Sequence, residues 1–119
     1  MRNDGAQASY RRGVMSLVIL SLLRRGDMYG YQLVQETAKS SGGKLTTQEG
    51  SLYPVLYRLV DQGLISDRKE LVGKRMTRVY YHLEPAGEEK LNELIREYEE
   101  ITQGVFQIIR GGGDSNEQA

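Results

Sequence analysis

The residues that could do chemistry in this chain are mostly cationic or aromatic, and two short stretches concentrate them. Residues 47–58 hold Thr47, Gln48, Ser51, Tyr53, Tyr57 and Arg58, and residues 74–78 hold Lys74, Arg75 and Arg78. Arginine can form paired hydrogen bonds with guanine or clamp a phosphate, and Gln and Ser can read base edges or phosphates. Cations on a loop neutralise backbone phosphates whatever the sequence. Taken singly, each residue also fits a solvated helix face or loop. Their combination in this order points to double-stranded DNA.

Other chemistries lack their residues. There is no cysteine, which excludes disulfides, thiolate zinc sites and cysteine nucleophiles. The single histidine, His82, alternates with Tyr81 in a strand-like run and reads as a surface or wing residue rather than a base. Asp27, Asp61, Asp67 and Asp114 form no acidic motif, and no phosphate loop, metal spacing or nucleophile elbow occurs. The glutamates between Glu88 and Glu100 read as a solvated helix face. No enzymatic activity, cofactor or metal is expected.

The formal net charge is zero, but its distribution is uneven. Residues 1–83 carry 13 Lys and Arg against 7 Asp and Glu, whereas residues 84–119 carry 3 against 9. A basic front and an acidic back suit a protein that turns one face to phosphates, although an acidic C-terminal helix alone gives the same split. The longest apolar run, Val14 to Leu23, is half of what spans a bilayer, and Arg24 and Arg25 stand where a signal peptide has small residues. A cytoplasmic protein is expected.

Elements must position these side chains. At 119 residues the chain predicts one domain. A helix over 10–25 is apolar nearly all round in its second half, so more than one surface must cover it, and in so short a chain another subunit can supply one. A second helix spans 29–40. A third starts near Thr46, Thr47 or Gln48, with Thr46 and Glu49 at capping-box spacing, and carries Leu52, Val55, Leu56, Leu59 and Val60. Pro54 requires the start to lie only a few residues upstream. Residues 64–71 and 77–83 read as strands of a hairpin, the second by its alternation of Val79, Tyr81 and Leu83 with polar neighbours. A last helix from Pro85 carries Leu91, Leu94, Tyr98, Ile101, Val105 and Ile108, a seam with steps of three and four.

The expected fold is mainly α with a small two-stranded antiparallel wing. It comprises a winged helix-turn-helix DNA-binding domain over 10–84 and a C-terminal dimerisation helix over 85–110. Residues 1–9 and 111–119 read as a flexible and a disordered tail.

The run Gly50-Ser51-Leu52-Tyr53-Pro54-Val55-Leu56-Tyr57-Arg58-Leu59, then Gly63-Leu64-Ile65, resembles the central signature of the PadR family of transcriptional regulators. Tyr29-Gly30-Tyr31, and Arg78, Tyr80, Tyr81, Leu83 and Gly87, resemble further elements of that family. The resemblance covers about residues 10–110 and fits the shorter branch, with a single C-terminal helix. It implies a dimeric regulator, a repressor, that binds promoter DNA, with the last helix packed on the partner's first helix. Val14, Val18, Leu91, Leu94, Tyr98, Ile101, Val105 and Ile108 would then form the dimer seam. Leu17, Ser21, Tyr98 and Thr102 would line a central pore for a small aromatic or hydrophobic effector that releases the DNA. Two positions depart from the family. Glu84 stands where a capping Thr is usual, and Tyr98 stands where multidrug-sensing relatives have a tryptophan. Tyr98 either stacks a ligand or is a plain interface aromatic. A winged-helix protein-interaction module without DNA binding is the alternative, since fold does not fix function.

Overall fold

The computed structural model describes the backbone of residues 4–118 and the side chains of residues 13–111. The elements run α1 (Asp4–Arg25), β1 (Met28–Tyr29), α2 (Gly30–Ser40), α3 (Glu49–Asp61), β2 (Ile65–Val72), β3 (Met76–Leu83) and α4 (Pro85–Gln118). Helix α1 thus starts before Tyr10 and α4 continues beyond Arg110, so helix occupies much of what reads as tails. The tail readings for residues 1–3 and 119 lie outside the described residues.

One core holds the module together. Ile19, Leu20, Leu33, Leu52, Leu56, Leu59, Ile65 and Leu91 are its largest fully buried side chains. They come from four helices and the sheet, and α1 lies at the centre, touching α2, α3, α4 and β3. This corrects one expectation. The apolar second half of α1 (Ile19, Leu20, Leu22, Leu23) is covered within the chain itself. What stays half-buried on α1 includes Val14, Leu17, Val18 and Ser21, spaced by three and four on one stripe.

The sheet has three strands in the order β1-β3-β2, all antiparallel, rather than two. The additional strand β1 pairs Met28 with Tyr81 and Tyr29 with Tyr80. Two residues are too few to show a period of two, which is why the sequence pattern misses them. In the hairpin, Ile65 faces Leu83 and Val72 faces Met76, with Gly73-Lys74-Arg75 as the tip. Tyr81 is buried at the sheet's centre, and that burial pushes its hydroxyl pKa up to about 12.

Helix α3 begins five residues before Pro54, which limits the loss to one backbone bond near its start. The capping box between Thr46 and Glu49 does not form. Gln48 is the N-cap and makes no side-chain cap bond, while the Thr47 hydroxyl donates to the Gln48 carbonyl at 3.4 Å. The far end closes tightly, with the Leu64 N–H donating to Leu59 O and the Gly63 N–H to Val60 O. Helix α4 starts against the sheet. The Glu84 N–H donates to Leu64 O at 3.0 Å, and the Ser66 hydroxyl donates to the Glu84 carboxylate at 2.6 Å. The Glu84 side chain therefore ties the start of α4 to β2. Gly87 leaves room for this crossing, since a Cβ there would collide with the Leu64 carbonyl and the Leu83 side chain.

Leu91 is fully buried in the protomer's own core, and Leu94 and Ile95 are half-buried against it. Leu91 consequently cannot belong to an interface between subunits, as the seam reading has it. Beyond Ile95 the seam is bare: Tyr98, Ile101, Val105 and Ile108 are exposed.

Candidate nucleic-acid interface

Four residues of α3, Leu52, Val55, Leu56 and Leu59, turn inward and fix the helix to the core. Gly50, Ser51, Pro54, Tyr57 and Arg58 remain exposed. Successive helix residues are rotated by about 100°, so neighbouring side chains need not share a face. That rotation divides the set expected to read DNA.

Tyr53 and Tyr57 stand on the flank of α3 turned to α2 and the sheet, their rings stacked at 5.9 Å and 29°. They line an open groove of about 560 Å³ with Tyr29, Tyr31, Glu49, Thr77 and Arg78. Tyr53 is half-buried and crosses Gly30 so closely that a Cβ at residue 30 would strike its hydroxyl. Burial, with the negative Glu49 nearby, raises the Tyr53 pKa, so its hydroxyl stays a neutral hydrogen-bond donor. Tyr57 is 58% exposed and offers the more accessible ring and hydroxyl.

Arg58 lies on the opposite flank. Its guanidinium donates to the Ser16 hydroxyl of α1 at 3.1 Å and borders a separate groove of about 330 Å³, alongside Gln62 and Lys90. Arg58, grouped by sequence with Tyr53 and Tyr57, therefore does not share their face. The next position along the helix carries it around to α1. Gln48 and Ser51 are exposed at the start of α3, and Thr47 is half-buried.

Lys74 and Arg75 are exposed on the wing tip. Arg78 is set apart from the tip, with its guanidinium 4.2 Å from the Tyr29 ring centre. Tyr29 in turn meets Tyr80 edge-on at 5.5 Å, and Arg68 lies 5.3 Å over Tyr80. Two adjoining rings, Tyr29 and Tyr80, are thus flanked by two guanidinium groups on the sheet. Such contacts each contribute about 0.5–1 kcal/mol at exposed sites, so their value here is in orientation. Among the described residues Arg58, Lys74, Arg75 and Arg78 form no ion pair.

Sequence reasoning misses Tyr29, Arg68 and Asp27 as parts of this surface. The Asp27 carboxylate binds Arg68 at 2.6 Å and His82 Nδ1 at 2.8 Å. Burial alone would raise its pKa, but these two partners outweigh that and hold it below the ordinary value. The partners lie 41 and 55 residues away, so no local motif marks the cluster.

The four residues expected around an effector differ in exposure within the protomer. Leu17, Ser21 and Thr102 are half-buried and Tyr98 is exposed, while a groove of about 480 Å³ on α4 is lined by Thr102, Phe106 and Arg110 without the other three. No described helix is long and apolar enough to cross a membrane, and the described residues contain no metal-binding cluster.

The sequence model of the transcriptional regulator PadR-like family matches residues 19–93, more than half of the chain. The protein belongs to the PadR-like family of transcriptional regulators. A transcriptional regulator of Mycobacterium tuberculosis is 32% identical over 107 residues, covering 90% of this chain and 92% of its own. The structure of a transcriptional regulator from Clostridium thermocellum superposes with a TM-score of 0.77 at 27% identity, covering 83% of this chain and 96% of that one. The negative transcriptional regulator PadR of Bacillus subtilis is 27% identical over 92 residues, 77% of this chain. Our chain spans half of that relative's length. The crystal structure of Bacillus subtilis PadR in complex with operator DNA matches with a TM-score of 0.65 at 28% identity, over 69% of this chain and 46% of that one. The winged helix fold and the regulator class of this PadR-like protein follow from these matches.

Proposed function

We propose that this PadR-like protein is a homodimeric repressor that binds promoter DNA through α3 and the wing and is released by a small aromatic or hydrophobic effector. The observation that carries the DNA-binding part is a set of cations on α3 and the wing that form no ion pair among the described residues: Arg58, Lys74, Arg75 and Arg78. Helix α3 is short enough to enter a major groove, with Gln48, Ser51 and Tyr57 exposed towards base edges and phosphates. The wing tip then reaches the flanking backbone. The Bacillus subtilis relative, seen on operator DNA and named a negative regulator, supports both the partner and the sign of regulation.

The dimer rests on the bare half of α4 and the stripe of Val14, Leu17, Val18 and Ser21 on α1. Two copies crossing there would cover both and could enclose a pore at Leu17, Ser21, Tyr98 and Thr102. The effector site is the part of the reading that needs the second copy.

Fluorescence anisotropy with a labelled duplex from the protein's own upstream region, at several salt concentrations, tests the reading. A dimer by light scattering and an affinity that falls steeply with salt are expected. Lys74→Ala should weaken all duplexes alike and make the salt slope shallower by about one. A folded dimer that shifts no duplex at low salt would leave the winged module to another role, with protein capture the first alternative.

A further inference from the structure

The second acid in the Asp27 cluster is Glu70 on β2. In the β2–β3 register it stands directly opposite Arg78. Opposite charges at facing positions of two strands ordinarily pair. Here they do not. The Glu70 carboxylate instead accepts from Arg68 Nε at 2.7 Å, and Arg78 turns to the Tyr29 ring. While Arg68 Nε binds Glu70, its Nη1 donates to the Asp27 carboxylate at 2.6 Å. Asp27 is fastened on its other oxygen by His82 of β3. One carboxylate in the turn after α1 therefore sets the charge arrangement on both wing strands.

We propose that Asp27 is a positioning residue for DNA binding: by holding Arg68 against Glu70, it keeps Glu70 away from Arg78 and leaves the Arg78 guanidinium for a DNA phosphate. The inference rests on the DNA-binding reading above. It makes an unusual prediction of sign. Removing a negative charge from a surface facing phosphates should, by long-range electrostatics alone, tighten binding. Removing Asp27 should weaken it, since Arg68 loosens and Glu70 becomes available to neutralise Arg78.

The test uses the full chain and a fluorescein-labelled duplex of arbitrary sequence, because a phosphate contact is indifferent to sequence. Affinity is measured at low salt for the wild type, Asp27→Ala, Glu70→Gln and the double variant, each checked for fold by circular dichroism. Asp27→Ala should lose about fivefold in affinity on the wild-type background and change little on the Glu70→Gln background, as expected of coupled neighbours. Its salt slope should also be shallower by about one phosphate contact. Asp27→Asn, which keeps the side-chain shape, carries the same test should the alanine variant fail to fold. An unchanged or tighter affinity for both Asp27 variants would overturn the proposal. So would an equal loss on the two Glu70 backgrounds, which would assign Asp27 a purely structural role. A wild-type protein that binds no duplex would instead remove the DNA-binding reading and this one with it.

Discussion

Helix α4 passes through two environments along a single seam. Its first turns, at Leu91, Leu94 and Ile95, close the core that α1, α3 and the sheet build. Its later turns, at Tyr98, Ile101, Val105 and Ile108, carry the same residue types at the same spacing into open solvent. A heptad-like stripe states that a helix has an apolar side but not what covers it. Coverage depends on what passes beside the helix, and among the described residues the core packs against α4 as far as Ile95. The winged module is thus complete in one chain, whereas the outer half of α4 leaves its apolar side without a cover in the protomer.

The largest effects should separate these halves. Leu91→Ala removes a fully buried side chain and should cost about 2–5 kcal/mol of stability, independent of protein concentration, in urea denaturation. Ile108 is 79% exposed, and Ile108→Ala should change protomer stability by less than about 0.5 kcal/mol. Its effect should emerge only as a concentration-dependent midpoint, through the dimer. Equal losses at the two positions, both independent of concentration, would abolish the distinction. Gly87→Ala sharpens the self-contained side. The added methyl meets the Leu64 carbonyl, and a lower melting temperature corresponding to about 1–3 kcal/mol is expected. An unchanged melt would mean that the start of α4 moves freely against β2.

The open half has its own test. Ile101→Glu with Ile108→Glu places two charges on the bare seam, beside the acidic face already present. Light scattering should report a monomer with unaltered helix content. Affinity for promoter DNA should fall by about tenfold or more, because two linked recognition helices become two separate ones. A dimer that survives both substitutions would place the interface elsewhere.

Much of the closed module is legible in the sequence, for physical reasons that differ by element. The inward row Leu52, Val55, Leu56 and Leu59 follows from helical spacing, and Tyr81 at the sheet's centre follows from strand alternation. Both are local periodicities. The flank chosen by Arg58 is not local, because it depends on α1 passing beside α3 and offering Ser16. The strand β1 is too short to have a period. The Asp27 cluster joins residues of the turn, β2 and β3 that only the folded sheet brings together. The covered part of α1 is a further case, since an all-round apolar helix looks the same whether its own chain or a partner encloses it.

The smallest expected effect concerns acid stability of the closed module, again through Asp27. Its hydrogen bonds from His82 and Arg68 outweigh desolvation and depress its pKa below the ordinary 3.8. A carboxyl group whose folded value is depressed binds protons more readily when unfolded. Its contribution is therefore complete above the unfolded value and is lost as pH falls through the lower folded one. Asp27→Asn cannot titrate, so the stability difference between wild type and variant should shrink as pH falls below about 4. Urea denaturation of both proteins across that range measures the difference, with the titration of carboxylates remote from the Asp27 cluster cancelling. A difference that stays flat into acid would mean that Asp27 has the same proton affinity folded and unfolded. The two short contacts to Arg68 and His82 would then contribute geometry to the wing without contributing to its stability.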